Sequence, residues 1–124
     1  QARRGQGKFR TNVEAIETGC RISGITDPRH LTASHIKPWR VCETGTERID
    51  GHNGFLLCPN IDHLFDRGYI SFSDEGTVLV AAKVDRTQLA LLGCQEGQQV
   101  NGRPFTEQQK AYLAYHRANV FLPG

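Results

Sequence analysis

Three short segments of the sequence contain residue types that could perform acid–base and metal chemistry. His35 stands near the end of a short segment, residues 31–36 (LTASHI), and Asn53 precedes an apolar run. The next segment, residues 60–66 (NIDHLFD), carries two carboxylates and another histidine. A neutral imidazole can take a proton from water, and carboxylates can hold a divalent cation. This combination favours hydrolysis of a phosphodiester, which needs a base to activate water and a cation at the phosphate.

The elements around these residues are predicted as strand, loop, strand and helix. Residues 31–36 are predicted to form a short strand ended by Pro38, and residues 55–58 suit a buried strand. The polar, glycine-bearing stretch 40–54 between them is predicted to be a loop. Pro59 suits the first turn of a helix that Gly68 would end. This order would place a base on the sheet and candidate ligands on the helix: Asp62, His63 and Asp66.

The flanking sequence predicts further helices and one hairpin. Helical spacing of apolar residues predicts a first helix over residues 8–18. Residues 69–72 and 77–82 flank the turn sequence SDEG and predict a hairpin. A short helix over 87–92 and a capped helix beginning at Thr106 would follow. The expected fold is a small α+β domain whose strand–strand–helix centre is flanked by helices and an extra hairpin.

Composition limits the functional classes. The 124 residues fit one domain, with 38% hydrophobic and 23% charged residues. Neither a signal peptide nor an apolar run of about 20 residues is evident, so a membrane role is not expected and a cytoplasmic location is. Four widely spaced cysteines without a Cys-x-x-Cys pair argue against a disulfide framework. The absence of an initiator Met suggests a fragment of a larger protein.

The net charge of +2 is small, but it is unevenly distributed. The first acidic residue is Glu14, so residues 1–8 are expected to form a basic arm or linker. Such an arm could neutralise phosphates, or it could be a solvated linker that happens to be basic; the sequence leaves both interpretations open. The basic residues concerned are Arg3, Arg4, Lys8 and Arg10.

The pattern of His35, Asn53 and a carboxylate nine positions later, Asp62, resembles the HNH, or ββα-metal, endonuclease family. Residues 7–10 and 115–121 extend the similarity over nearly the whole chain, so residues 1–124 are expected to be one HNH domain. The sequence is similar to the bacterial subfamily that supplies nuclease modules to restriction-type proteins. Those modules are often joined to a separate DNA-reading domain, and a double-strand break would require two copies.

The resemblance implies a metal-dependent DNA endonuclease and a role for each matched residue. His35 would be the general base, and Asp62 would bind a divalent ion. Asn53 would fix the long loop so that His35 is correctly aimed. Mg²⁺ or Mn²⁺ is expected, with Zn²⁺ or Ni²⁺ as alternatives. The residues expected to contact DNA are Arg3, Arg4, Lys8, Arg10, Lys37 and Arg67.

The sequence also departs from the family pattern. Ser34 stands where many relatives carry a second metal ligand, and Asp62 stands where many carry histidine. His63 and Asn60 are therefore alternative ligands. Two Cys-x-x-Cys pairs that hold zinc in other relatives are each halved here, so no structural zinc is expected. The rival hypotheses are a non-catalytic DNA-binding module on the same fold and a zinc-bound interaction domain.

Overall fold

The computed structural model describes residues 6–123, and Arg3 and Arg4 of the predicted basic arm lie outside that range. Short 3₁₀ turns at residues 28–30, 39–41 and 51–53 connect some of the regular elements. In chain order the elements are α1 (Gln6–Glu14), β1 (Thr32–His35), α2 (Gly45–Ile49), β2 (Gly54–Leu57), α3 (Pro59–Asp66), β3 (Ile70–Phe72), β4 (Val78–Val80), α4 (Arg86–Leu91) and α5 (Glu107–Asn119).

The α+β class and the strand–strand–helix centre are confirmed. β1 pairs antiparallel with β2, and α3 begins two residues after β2 ends. The extra hairpin is confirmed as β3 paired with β4. Thr106 caps α5 in a reciprocal capping box with Gln109, as its sequence predicted.

The loop prediction for residues 40–54 was wrong in part, because this segment contains α2, one whole 3₁₀ turn, part of another and the first residue of β2. Its polar residues cap these short helices. The Thr44 hydroxyl accepts a hydrogen bond from the Glu47 N–H at 3.1 Å, and the Asp50 carboxylate accepts one from the His52 N–H at 2.9 Å. Polar composition suits helix caps and loops alike, so composition alone did not separate the two.

The first helix was predicted to end at residue 18 and instead ends at Glu14. Beyond it, Glu17 is buried and forms an ion pair of 2.7 Å with the buried Arg21. Arg21 also donates hydrogen bonds to backbone carbonyls of residues 101 and 103. These long-range contacts turn the chain away from the helical path that apolar spacing suggested.

A close approach at Gly54 positions α1 against the central strands. Gly54 is the register partner of His35. A Cβ at Gly54 would lie only 2.6 Å from Phe9 Cζ and 2.7 Å from Val13 Cγ2. Because glycine has no side chain, the apolar face of α1 packs directly on β2.

The apolar core lies between the central unit, the hairpin and α5. Phe65 of α3 contacts Phe55 and Phe72, with ring centroids 5.8 and 5.3 Å away. Gly68 ends the turn after α3 with a φ of +76°, and a side chain there would collide with the Val120 carbonyl. α3 and the end of α5 are therefore tightly joined.

His116 of α5 is part of this core and is only 1% exposed. Its ring stacks on Phe65 with centroids 3.9 Å apart. Nε2–H donates to the Phe65 carbonyl at 2.9 Å, which leaves Nδ1 to accept from the Ser71 hydroxyl at 2.8 Å. Burial lowers the pKa of His116 to about 4, so the ring is neutral at physiological pH.

Two further observations concern membrane-spanning helices and the state of the cysteines. No helix within residues 6–123 has both the length and the apolar character needed to cross a membrane. All four cysteines are free thiols, and Cys20 is buried with its sulfur 3.8 Å from that of Cys58. Cys20 is packed in the core as a small apolar residue would be, whereas Cys58 is only partly buried.

We expect the free energy of unfolding to fall as the pH is lowered from about 6.5 to about 4. In that window an unfolded chain binds a proton at residue 116 and the folded chain does not, so acid favours the unfolded state. The pKa difference limits this contribution to about 3 kcal/mol. Urea unfolding of the wild type and of His116→Gln at pH 7.5 and 5.0 measures it. The variant cannot titrate at this position, and an equal pH dependence in both proteins would contradict the assignment.

Candidate active site

The end of β1 and the outer face of α3 enclose a cleft of about 270 Å³. It brings together two residues that the sequence predicted to act jointly, His35 and Asp62, although they lie on different elements. We call it the His35 cleft. It is lined by Thr32, Ala33, Ser34, His35, Pro38, Trp39, Arg40, Asp62 and Asp66.

His35 is held in position by two aromatic rings and one backbone carbonyl. Phe9 stacks on its ring with centroids 3.6 Å apart and planes 7° from parallel, and Trp39 approaches edge-on at 5.9 Å. Nε2 of His35 lies 2.8 Å from the carbonyl oxygen of Arg48. A carbonyl can only accept, so Nε2 carries the hydrogen, and the lone pair of the neutral ring is on Nδ1.

Asn53 is fully buried, and its side-chain amide forms hydrogen bonds with both the N–H and the carbonyl of Lys37, in the segment that follows His35. Its Oδ1 accepts from the Lys37 N–H at 2.7 Å, while its Nδ2 donates to the Lys37 carbonyl at 3.1 Å. Nδ2 also donates to the Glu47 carbonyl at 3.3 Å. These contacts connect β1, the intervening segment and the start of β2, and they agree with the loop-fixing role expected for Asn53.

Asp62 lies in the first turn of α3, beside the buried Ser34 of β1. Burial raises the pKa of its carboxyl group above the ordinary value, and a hydrogen bond from Ser34 opposes that rise. The nearby charge of Asp66 raises the pKa of Asp62 further. Ser34 therefore contacts the carboxylate that was predicted to bind a cation.

The two alternative metal ligands, His63 and Asn60, lie outside the His35 cleft. His63 is exposed and lines a separate, largely apolar pocket with Tyr69 and Leu92. Asn60 is exposed on α3 and does not line the His35 cleft. Within residues 6–123, no group of three or more His, Cys, Asp and Glu side chains is arranged to hold a metal ion.

Two of the basic residues predicted to contact DNA form contacts within the protein. Lys37 pairs with Glu47 at 3.1 Å, and the hydrogen bond to that carboxylate is the main cause that raises the pKa of Lys37. Arg10 donates to the carbonyls of Leu31 and Pro28, both at 2.7 Å, and thereby ties α1 to the start of β1. Lys8 and Arg67 are exposed.

Sequence reasoning missed the places of Trp39 and Arg40, which line the cleft, and of Phe9, which stacks on His35. Phe9 was interpreted only as part of the apolar face of α1, and its stacking on His35 depends on the fold of distant segments. Trp39 and Arg40 follow Pro38 at the edge of the predicted loop. The one feature of the sequence that could have identified Trp39 and Arg40 was their proximity to His35.

Comparisons with known proteins agree with this geometry. Residues 20–73, which include β1, β2 and α3, match the model of a family described as HNH endonuclease. The resemblance to the HNH endonuclease family is confirmed. The match supports a nuclease, which is a hydrolase.

The fold is also similar to a solved structure described as a modification dependent TagI restriction endonuclease. The TM-score is 0.58 and the sequence identity 20%, over 98% of this chain and 38% of that one. The chain thus spans well under half the length of that relative. No curated protein matches the sequence.

Replacing Asn53 with alanine should lower the free energy of unfolding by about 2–3 kcal/mol. The variant loses three hydrogen bonds to backbone groups, and a buried polar group without a partner costs about 1–3 kcal/mol. Urea unfolding at pH 7.5 measures the change. Asn60→Ala is the matched control, because Asn60 is exposed on α3 and should change stability by less than about 0.5 kcal/mol. Equal effects of the two substitutions would show that Asn53 does not hold the segment together.

Proposed function

We propose that this chain is the nuclease domain of a metal-dependent DNA endonuclease of restriction type, with His35 as its general base. The observation that supports this most strongly is the arrangement of His35. It lines one cleft with Asp62, and the Arg48 carbonyl selects the tautomer whose Nδ1 can accept a proton. The HNH family match over the same elements supports the same chemistry.

In this proposal Nδ1 of His35 takes a proton from the water that attacks the phosphorus atom. The ring then becomes an imidazolium, and its Nε2–H bond to the Arg48 carbonyl becomes charge-assisted and stronger. Phe9 and Trp39 limit rotation of the ring, so little orientational freedom is lost when substrate binds. Asn53 acts indirectly, since it positions the segment that follows His35.

The cleft offers oxygen donors that fit a hard divalent cation. Asp62 would be the principal ligand and Asp66 a neighbouring carboxylate. Mg²⁺ is commonly held by one or two protein carboxylates, with water and substrate phosphate completing the shell, so a larger protein cage is not required. Once bound, such a cation would neutralise charge on the phosphate and on the leaving oxygen. Ser34 would orient Asp62, and its hydrogen bond favours the ionised form against the larger effect of burial, which raises the pKa of the carboxyl group.

DNA as the substrate, a linked recognition domain and cleavage by two copies are parts of the same proposal. The family match supports nucleic acid as the substrate class. The relative described as a modification dependent restriction endonuclease is much longer than this chain, which supports a further domain joined to residues 1–124. A single His35 cleft would cut one strand, so two copies would be needed to break a duplex.

His35→Ala should reduce plasmid nicking at least 100-fold and leave DNA affinity within a few-fold. General-base catalysis contributes about 10²–10⁴ in rate, and the substitution removes no phosphate contact. The measurement is conversion of supercoiled plasmid to open circles with Mg²⁺ or Mn²⁺, alongside anisotropy of a labelled duplex. A variant that retains most of the wild-type nicking rate would exclude His35 as the base. If the wild type nicks no DNA with either ion, the DNA-binding-module hypothesis is the better one.

Asp62→Ala should abolish metal-dependent cleavage, whereas His63→Ala should leave it within about three-fold, since His63 lies outside the cleft. Both residues are on α3, one position apart, so the pair controls for disturbance of the helix. Calorimetry with Mn²⁺ measures binding separately from turnover. Loss of Mn²⁺ binding in His63→Ala and its retention in Asp62→Ala would mean that the ligands are reversed.

A further inference from the structure

The arginines within residues 6–123 divide into two groups by what their guanidinium groups contact. Seven donate hydrogen bonds to carboxylates or backbone carbonyls of the protein: Arg10, Arg21, Arg29, Arg48, Arg86, Arg103 and Arg117. The other two, Arg40 and Arg67, are exposed, and their side chains form neither a hydrogen bond nor an ion pair with any residue that the structure describes.

These two arginines share one pocket, although Arg40 follows β1 and Arg67 follows α3. The pocket has a volume of about 420 Å³, and we call it the arginine pocket. It is lined by Pro38, Arg40, Asp66, Arg67, Asn119 and Val120. Pro38, Arg40 and Asp66 also line the His35 cleft, so the two cavities adjoin.

The chemistry of this pocket suits an anion that can accept several hydrogen bonds. Each guanidinium presents a planar set of donors that matches a phosphate in a bidentate arrangement. The Asn119 side-chain amide donates one hydrogen to the Tyr115 carbonyl at 3.1 Å and has a second N–H as a neutral donor. Asp66 is the only acidic residue in the lining, so the charge of the side chains there is +1.

We propose that the arginine pocket binds the phosphate next to the scissile one on the same strand of a nucleic acid. The inference rests on the proposed function, since it takes the His35 cleft as the place of cleavage. Successive phosphates of one strand are separated by only about 3.4 Å along the helix axis. A strand with one phosphate in the His35 cleft therefore places a neighbouring phosphate beside Arg40. The domain then selects a polymeric substrate over an isolated phosphodiester.

A purely structural role for these arginines gives a different expectation. Arg67 follows the last residue of α3, where a cation interacts favourably with the negative end of the helix dipole. Removing a residue with that role would lower the melting temperature and leave DNA binding unchanged. A phosphate-binding residue would show the opposite result.

The test compares Arg40→Ala, Arg67→Ala and the double variant with the wild type on two probes. The first probe is a labelled 20-base-pair duplex, and its binding is measured by anisotropy over a range of salt without divalent ion. The second is bis(p-nitrophenyl) phosphate, a single phosphodiester, hydrolysed with Mn²⁺. Lys83→Ala is the control for net charge, because Lys83 is exposed and lines the separate apolar pocket.

The double variant should bind the duplex at least ten-fold more weakly. Its slope of log K against log salt should be shallower by about 0.9, as expected when the protein neutralises one phosphate fewer. KM for duplex cleavage should rise with little change in kcat. Hydrolysis of the small diester by Arg67→Ala should stay within two-fold of the wild type, because Arg67, unlike Arg40, lies outside the His35 cleft. Lys83→Ala should match the wild type on both probes.

Three results would overturn the inference. One is an equal loss on both probes in Arg67→Ala, which would place that arginine at the scissile phosphate itself. Another is an equal loss of binding in Lys83→Ala, which would show a general charge effect. The third is unchanged duplex binding with a lowered melting temperature, which would show the structural role. If the wild type hydrolyses neither probe, the proposed function fails, while duplex binding still decides whether the arginine pocket holds phosphate.

Discussion

The buried side-chain amide of Asn53 is the interaction on which the geometry of the candidate site depends. The segment between β1 and β2 must leave one strand and return to the next, and most of its backbone groups cannot join the two-stranded sheet. Asn53 satisfies the N–H and the carbonyl of Lys37 together with the carbonyl of Glu47. Its own carbonyl accepts from the Ile36 N–H at 3.0 Å. With these groups paired, the segment takes one conformation and brings the Arg48 carbonyl to His35.

The other side of His35 is fixed by packing between α1 and the central strands. Gly54 lies opposite His35 in the antiparallel register and leaves room for Phe9. Phe9 then stacks on the imidazole and is itself fully buried. Arg10, the next residue, ties α1 to the chain entering β1 through two carbonyls. A helix outside the strand–strand–helix centre thus supplies one wall of the environment of His35.

Some of the charged and polar side chains in and around the cleft bind other groups of the protein, whereas others face outward. Ser34, which the resemblance implied to be a departure from the metal-ligand pattern, contacts Asp62 and opposes the rise in the pKa of its carboxyl group. A residue that departs from the family pattern is therefore compatible with an ionised carboxylate at this position. Lys37 is neutralised by Glu47 and lies 5.2 Å from the ring of Tyr115. Arg40 and Arg67 have no hydrogen-bond or ion-pair partner among the described residues, and they line the pocket that adjoins the cleft.

The sequence by itself determined the α+β class, the order strand–strand–helix, the hairpin and the capping box of α5. These features depend on local periodicity, turn residues and caps, which are written in consecutive residues. It also predicted, through the resemblance to the HNH pattern, that His35, Asn53 and Asp62 act together. Only the tertiary structure decided that Asp62 shares a cleft with His35 while His63 lies in another pocket, because a 3.6-residue helix turns adjacent side chains to different faces. Contacts between segments far apart in the chain likewise decided the stacking of Phe9 on His35 and the tautomer of His35. They also decided that Arg40 and Arg67 line one pocket. Such contacts leave no periodic signal in the sequence, since they depend on how the elements pack against one another.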